Sequence, residues 1–298
     1  MVRNLGGRSS HDPDLVRQVA RKTFRLRANT DLIVLSGDLA TTGLASDIRI
    51  ALGYVSSPAA TQYLTASRTA TLNTGSTPIF LMPGNHDRFR SDDGDAGCKT
   101  FDLSFTGLWG QFDPDINSAV LRSGQSALGI VAADFCLRRN VDASHPTNVY
   151  KRGQGYAYED IVEKLVKKTL QLRSANEGIG IVWAMHFPPS DKRSGVPALL
   201  GLGGLLELRF FHRVVTAAVE NDVSHILSGH LREAVMLQER GVHIYCAGSA
   251  CGFGEASGNW MHLLEFRVQK GKVSVEKKVD YRWIEAKGDF FESQAESA

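Results

Sequence analysis

Four short apolar runs in this chain each stop at a polar cluster bearing glycine, histidine or both, and that recurring stop limits its fold most. Leu32 to Leu35 ends in Ser36-Gly37-Asp38, and Ile79 to Met82 ends in Pro83-Gly84-Asn85-His86-Asp87. Ile181 to Ala184 ends in Met185-His186, and Ile226-Leu227 ends in Ser228-Gly229-His230. A short apolar run closed by turn residues reads as a buried strand. Open α/β sheets gather their sites at the C-terminal edge of such strands. Each run here delivers a carboxylate, amide or imidazole to that edge. One such cluster alone is an ordinary polar turn, so the weight lies in the set and its order.

The remaining elements fit around these strands. Ser10-His11-Asp12-Pro13 reads as a helix start, with Asp12 as the cap, Pro13 in the first turn and His11 left in the cap region. Leu15, Val16, Val19, Phe24 and Leu26 mark an apolar helical face. Ala51 to Asn73 is expected to be helical in its later part. Ser91 to Gly97 lacks the spacing and closing Glu of a calcium loop and reads as solvated. Phe101 to Phe112 is aromatic without a clear period and is expected to line or cover the site. Ala119 to Arg122 and Ala127 to Leu137 pair as a hairpin about Ser123-Gly124. Tyr158 to Ser174 is amphipathic, with Ile161, Val162, Leu165, Val166 and Leu170 on one side. Pro188 to Gly204 is a loop, and Leu206 to Glu220 a helix. Strands follow at Ala234 to Gln238, Val242 to Ala247, Met261 to Val268 and Val273 to Trp283, the last pair turning at Lys270-Gly271-Lys272. Residues 288–298 are expected to fray as a polar tail. No repeat or linker divides the chain, so 1–298 reads as one domain of mixed α and β elements in layers.

Bulk properties exclude some classes. The 298 residues are 43% apolar and 22% charged, ordinary for a globular protein, with a net charge of +2. That gives no broad electrostatic attraction to nucleic acid or a membrane surface. The basic stretches Arg17 to Arg27 and Lys164 to Arg173 read as solvated helix faces. Cys98, Cys136, Cys246 and Cys251 include no Cys-x-x-Cys pair, which argues against structural zinc and suits a reducing compartment. No run approaches the ~20 apolar residues of a membrane span, and no cationic–apolar leader opens the chain. A cytoplasmic protein is the expectation.

The order Gly-Asp, Gly-Asn-His-Asp, His, Gly-His resembles the calcineurin-like metallophosphoesterase superfamily over roughly Asp31 to Phe266. The resemblance implies a four-layer αββα sandwich of α+β class and a metal-dependent hydrolase of phosphodiester or phosphomonoester bonds, attacking with a metal-bound hydroxide. Position by position it implies that Asp38 bridges two metals and that Asn85, His186 and His230 ligate one of them. It places His86 beside the scissile phosphate and makes Asp87 the group that orients and charges His86. Carboxylate, amide and imidazole ligands suit Mn or Fe, with Zn as the alternative. The implied substrate is a small phosphorylated molecule, nucleotides included. His186-Phe187-Pro188-Pro189 resembles the His-x-Pro-Pro stretch of cyclic-nucleotide phosphodiesterase-like members.

Two departures touch one metal. The family's opening Asp-x-His has no match before Asp38; a gapless reading sets Val2 and Asn4 on it. The second His of the family's Gly-His-x-His is Arg232. Either a single ion binds, with Arg232 clamping phosphate oxygens, or a first strand carrying the missing ligands precedes the sequence given. The expectation is a lost first strand together with a genuine Arg232. A phosphate- or nucleotide-binding pseudoenzyme is the main competing function. A nuclease is disfavoured by the charge balance.

Overall fold

A computed structural model describes residues 11–56, 71–89, 99–110, 112–136, 154–190, 208–231, 233–252 and 258–293. Its first helix, α1 (Pro13–Leu26), starts where Asp12 accepts hydrogen bonds from the amides of Asp14 and Leu15 at 2.8 and 3.3 Å, with Pro13 in the first turn. Leu15, Val19, Ala20 and Thr23 form its buried stripe. Arg17 and Arg25 on the outer side pair with Asp14 and Asp289. The expected solvated basic face is therefore present and carries two ion pairs.

Strand β1 (Ile33–Leu35) runs parallel to β2 (Ile79–Leu81) with Ile33 opposite Ile79. Between them lies α2 (Ala45–Ser56). This helix comes earlier than the apolar spacing of 51–73 predicts, and 57–70 lie outside the described residues. After β2 come the single-turn α3 (Asn85–Arg88) and α4 (Thr100–Ser104). Phe101, Phe105 and Trp109 are fully buried among Phe80, Ile130 and Ala132. These three rings are core and not the expected lining of the site, while Leu103 and Phe112 of the same stretch are 78% and 93% exposed. The expected loops at 91–97 and 191–204 lie outside the described residues.

The largest sheet has the order β3-β4-β6-β8-β10-β9. Its strands are β3 (Ile116–Ser123), β4 (Ser126–Ala133), β6 (Gly180–Met185), β8 (His225–Ser228), β9 (Val235–Glu239) and β10 (Val242–Cys246). The inner four are parallel and the two edges antiparallel. Two-residue strands β5 (Gly155–Tyr156) and β7 (Leu208–Arg209) pair separately. Helices α5 (Glu159–Ala175) and α6 (Phe211–Glu220) cover one face of the large sheet through Ile161, Leu165, Val214 and Ala218, against Ile181, Trp183 and Met185. Leu170, expected on that face, is 52% exposed, and Thr169 is buried instead. Thr169 lies four residues past Leu165, and its hydroxyl accepts the Trp183 indole proton at 2.9 Å.

The opposite face of the large sheet meets a second layer. Strands β11 (Trp260–Gln269), β12 (Lys272–Ile284) and β13 (Asp289–Glu292) form an antiparallel sheet in chain order. A Cβ on Gly180 of β6 would fall 2.6 Å from Val273 of β12, which measures how closely the two sheets stack. Strand β13 lies within the stretch expected to fray: Phe290 is 1% exposed beneath α1, and 294–298 lie outside the described residues. Helix, sheet, sheet and helix follow one another, the αββα order that the resemblance implies. No helix among the described residues is long and apolar enough to cross a membrane.

Among the described residues β1 pairs only with β2, and β11 only with β12. A cavity of about 2290 Å³ is lined by both, from Leu32 to Ser36 on one side and Met261 to Phe266 on the other. The candidate site opens onto this same cavity.

Candidate metal and phosphate site

Strands β1, β2, β6 and β8 end toward one place, and the polar clusters sit just past those ends. Asp38 follows β1, Asn85 to Asp87 form α3 after β2, His186 follows β6, and His230 follows β8. The first two arise from one layer and the last two from the facing sheet. They meet because glycine lets the connecting loops touch. A Cβ on Gly84 would lie 2.2 Å from Asp38 Oδ1, and one on Gly37 would lie 2.5 Å from His186 Nδ1. Gly37 also takes φ +103°, open to glycine but strained for other residues. Asp38 and His230 themselves hold positive φ, +56° and +66°. Such conformations persist only where the surroundings over-determine them, and they cluster at functional sites.

His186 is the centre of the arrangement. It is 2% exposed, and its Nδ1 donates to the Ser36 carbonyl at 2.6 Å. That bond leaves Nε2 facing Asn85 Oδ1 at 3.0 Å, His230 Nδ1 at 3.1 Å and Asp38 Oδ2 at 3.4 Å. Ligand atoms of Asp38, His186 and His230 all lie within 4.8 Å of one another. One carboxylate, one amide oxygen and two imidazoles converging on one point fit a divalent transition-metal ion. A second-shell carbonyl fixing the tautomer of a ligating histidine is a recurring feature of such centres.

Charge is balanced inside the group. Burial pushes the Asp38 carboxyl up, but the imidazoles of His186, His86 and His230 outweigh it and hold the group well below the usual carboxylate range. Burial presses the His186 pKa down, and the Asp38 carboxylate, the Ser36 carbonyl and Asp87 bring it to a net rise. Asp38 Oδ1 also accepts the backbone N–H of His86 at 3.0 Å, tying the carboxylate to the start of α3.

His86 is exposed to the cavity, and its Nδ1 donates to the Thr41 carbonyl at 2.9 Å. The resemblance assigns the orienting of this ring to Asp87, and here the geometry differs. Asp87 is fully buried, and its two oxygens accept from the amides of Gly84 (2.8 Å), Ala40 (2.8 Å) and Leu39 (3.2 Å). Through these three backbone donors the carboxylate staples the loop after β1 to the loop after β2. Burial and then the nearby Asp38 push the Asp87 pKa up to about 6, against the pull of those three amides.

Arg88 continues the motif. It is buried, and its Nε and Nη2 donate to Asp134 at 2.8 and 2.7 Å while Nη2 pairs with Asp102 at 2.8 Å. This joins α3 to α4 and to the end of β4. Val2, Asn4 and Arg232 lie outside the described residues. Strand-end reasoning missed His11, Thr41 and Ser36. His11 and Thr41 line the cavity beside Asp38 and are 3.2 Å apart, Nδ1 to Oγ1. No spacing rule could have joined residues thirty positions apart in two loops.

Comparison with curated proteins finds no match. Among solved structures, the purple acid phosphatase PPD1 from yellow lupin (Lupinus luteus) seeds aligns at 11% identity and TM-score 0.52 over 96% of this chain. The aligned part is 49% of that enzyme, so the chain spans about half its length. GAP50, the anchor in the inner membrane complex of Plasmodium, aligns at 14% identity and TM-score 0.46, covering 96% of this chain and 84% of that one. Zn-complexed Vps29 from Entamoeba histolytica aligns at 11% identity and TM-score 0.35, covering 98% and 92%. The family model described as calcineurin-like phosphoesterase matches residues 9–232, well over half of the chain. With the strand-end residues meeting at one edge of a layered α and β fold, that match places the chain in the calcineurin-like phosphoesterase family.

Proposed function

We propose that this chain is a metal-dependent phosphoesterase that cleaves phosphodiester bonds of a small phosphorylated substrate, nucleotides included. The observation that carries the reading is the convergence of Asn85 Oδ1, His230 Nδ1 and Asp38 Oδ2 on His186 Nε2, at 3.0 to 3.4 Å. In this reading those four residues hold a divalent ion, Mn or Fe, with Zn as the alternative. A bound ion supplies Lewis-acid charge and a lowered pKa for water. The chain's own residues do the rest. Ser36 fixes the His186 tautomer. Thr41 holds His86 by Nδ1, which leaves Nε2 to the cavity, and from Nε2 the doubly protonated ring serves as general acid to the leaving oxygen while Nδ1 stays on Thr41. Asp87 keeps the two ligand loops in contact. Arg232, two positions past His230, is assigned to the phosphate oxygens.

A reducing, cytoplasmic setting belongs to this reading. Cys136, Cys246 and Cys251 are unbridged, in keeping with it. The competing reading is a phosphate-binding pseudoenzyme of the same fold. It is favoured by the ligand group itself, which among the described residues comprises Asp38, His186 and His230, a set for one ion.

The deciding experiment is hydrolysis of an aryl phosphodiester by the purified chain with and without Mn²⁺, with Asp38→Ala as control. Turnover that needs Mn²⁺ and vanishes in the control supports the enzyme. Mn²⁺ binding without turnover supports the pseudoenzyme.

A further inference from the structure

His11 is one more imidazole at this site, and the strand-end motifs do not point to it. The backbone pins it in place. His11 bridges to Gly252, and the neighbouring Asp12 N–H donates to the Cys251 carbonyl at 2.8 Å. From that anchor the side chain reaches the turn after β1. Its Nδ1 lies 3.2 Å from Thr41 Oγ1, and the ring also hydrogen-bonds the Asp38 backbone. Thr41 is 5% exposed, so its hydroxyl has little access to water as an alternative partner. The carbonyl of the same Thr41 holds His86 Nδ1 at 2.9 Å.

One ring therefore touches two things that the chemistry needs. The first is the backbone of Asp38, held at φ +56° and carrying the carboxylate of the ligand group. The second is the residue that orients His86. The stretch from Ser36 to Leu44 has no regular secondary structure to hold it. Its geometry rests on contacts from elsewhere: Asp87 on the amides of Leu39 and Ala40, and His11 on Asp38 and Thr41. We infer that His11 is a positioning residue of the phosphoesterase site, fixing the 38–41 turn so that the Asp38 carboxylate and the His86 ring keep one relative placement. This rests on the proposed metal-dependent hydrolysis. A small misplacement of reacting groups costs rate far more than it costs substrate binding.

The test compares wild type, His11→Ala, His11→Asn and Thr41→Val in the full chain. His11→Asn keeps a polar group near the position of Nδ1. Thr41→Val removes the hydroxyl that His11 meets and keeps the carbonyl that holds His86. The expected result is a kcat for His11→Ala reduced by about 10- to 100-fold, with KM changed less than about threefold and substantial recovery in His11→Asn. Thr41→Val reproduces the loss, and the double variant loses no more than either single one, as for residues acting through one contact. A readout independent of activity is the ¹⁵N spectrum of the metal-free protein at fixed pH. Wild-type His86 carries its proton on Nδ1, and that population falls in His11→Ala and Thr41→Val. Unchanged kcat and an unchanged His86 spectrum in a folded His11→Ala would overturn the inference. If His11→Ala does not fold, Thr41→Val and His11→Asn carry the same comparison. A wild type with no turnover defeats the phosphoesterase reading alone, and the His86 spectrum then decides the case of His11 by itself.

Discussion

His186 gives its Nδ1 proton to the Ser36 carbonyl at 2.6 Å, across a sequence separation of 150 residues and between two facing sheets. The bond fixes which nitrogen of the ring meets Asp38, Asn85 and His230. A lone pair held toward a carboxylate and an amide oxygen completes a donor set suited to a cation. His186→Ala should lower Mn²⁺ affinity by at least about 100-fold, whereas His86→Ala should leave Mn²⁺ affinity nearly unchanged and lower turnover by about 10²- to 10⁴-fold. Calorimetric titration with Mn²⁺ and steady-state rates on the aryl diester separate the two effects. Equal losses of affinity in both variants would refute the division of roles.

Asp87 is the staple between the two ligand loops, and its removal strands three amides, two of them buried. Asp87→Ala should cost about 1–3 kcal/mol for each amide left without a partner or water. Urea midpoints measure it. A midpoint equal to wild type would show that the three amides find other partners.

Arg88 and Asp134 are buried together, at 4% and 8% exposure. Neutralising Arg88 leaves the Asp134 and Asp102 carboxylates facing each other without their cation. Arg88→Met should destabilise by about 3–5 kcal/mol, since breaking one side of a buried pair costs more than deleting both. Because α3 also carries Asn85 and His86, Mn²⁺ affinity should fall as well. The variant tests whether α3 is held from behind as firmly as from the site.

His262 is buried between the sheets beside Asp280, Nδ1 to Oδ1 3.3 Å. Burial pushes its pKa down to about 4, although Asp280 pulls upward. The unfolded chain takes up this proton near 6.5 and the folded chain near 4, so the sign is clear. The stability that the neutral ring contributes is complete above about pH 6.5 and is lost as pH falls toward 4, at up to about 1.4 kcal/mol per pH unit. His262→Phe should remove that slope. Urea unfolding at pH 7 and pH 5 checks it, and the same acid loss in the variant would assign the slope to other groups.

Much of the candidate site was legible because its signals are local. An apolar run followed by Gly-Asp or Gly-Asn-His-Asp says where a strand stops and which groups it exposes, and Asp38, Asn85, His186 and His230, singled out this way, are brought together by the structure. The amphipathic face of α5 and the Asp12 cap are local in the same sense. The errors came where local pattern competes with packing. Phe101 to Phe112 reads as lining or covering the site, but its rings Phe101, Phe105 and Trp109 fill the core. The stretch from residue 288 reads as a polar tail, yet a buried ring, Phe290, holds Asp289–Glu292 as a strand. Asp87 looked like the partner of His86, yet three amides claim it.

What the sequence by itself determined is the set of chemistry-bearing side chains and their delivery to strand ends, because the alternation of apolar run and turn residue is written within a few neighbours. Only the tertiary structure decided which loops touch, that Ser36 orients His186, and that His11 and Thr41 stand behind Asp38 and His86. Those contacts join residues thirty to 150 positions apart, and no short-range preference for helix, strand or turn carries information over such a distance.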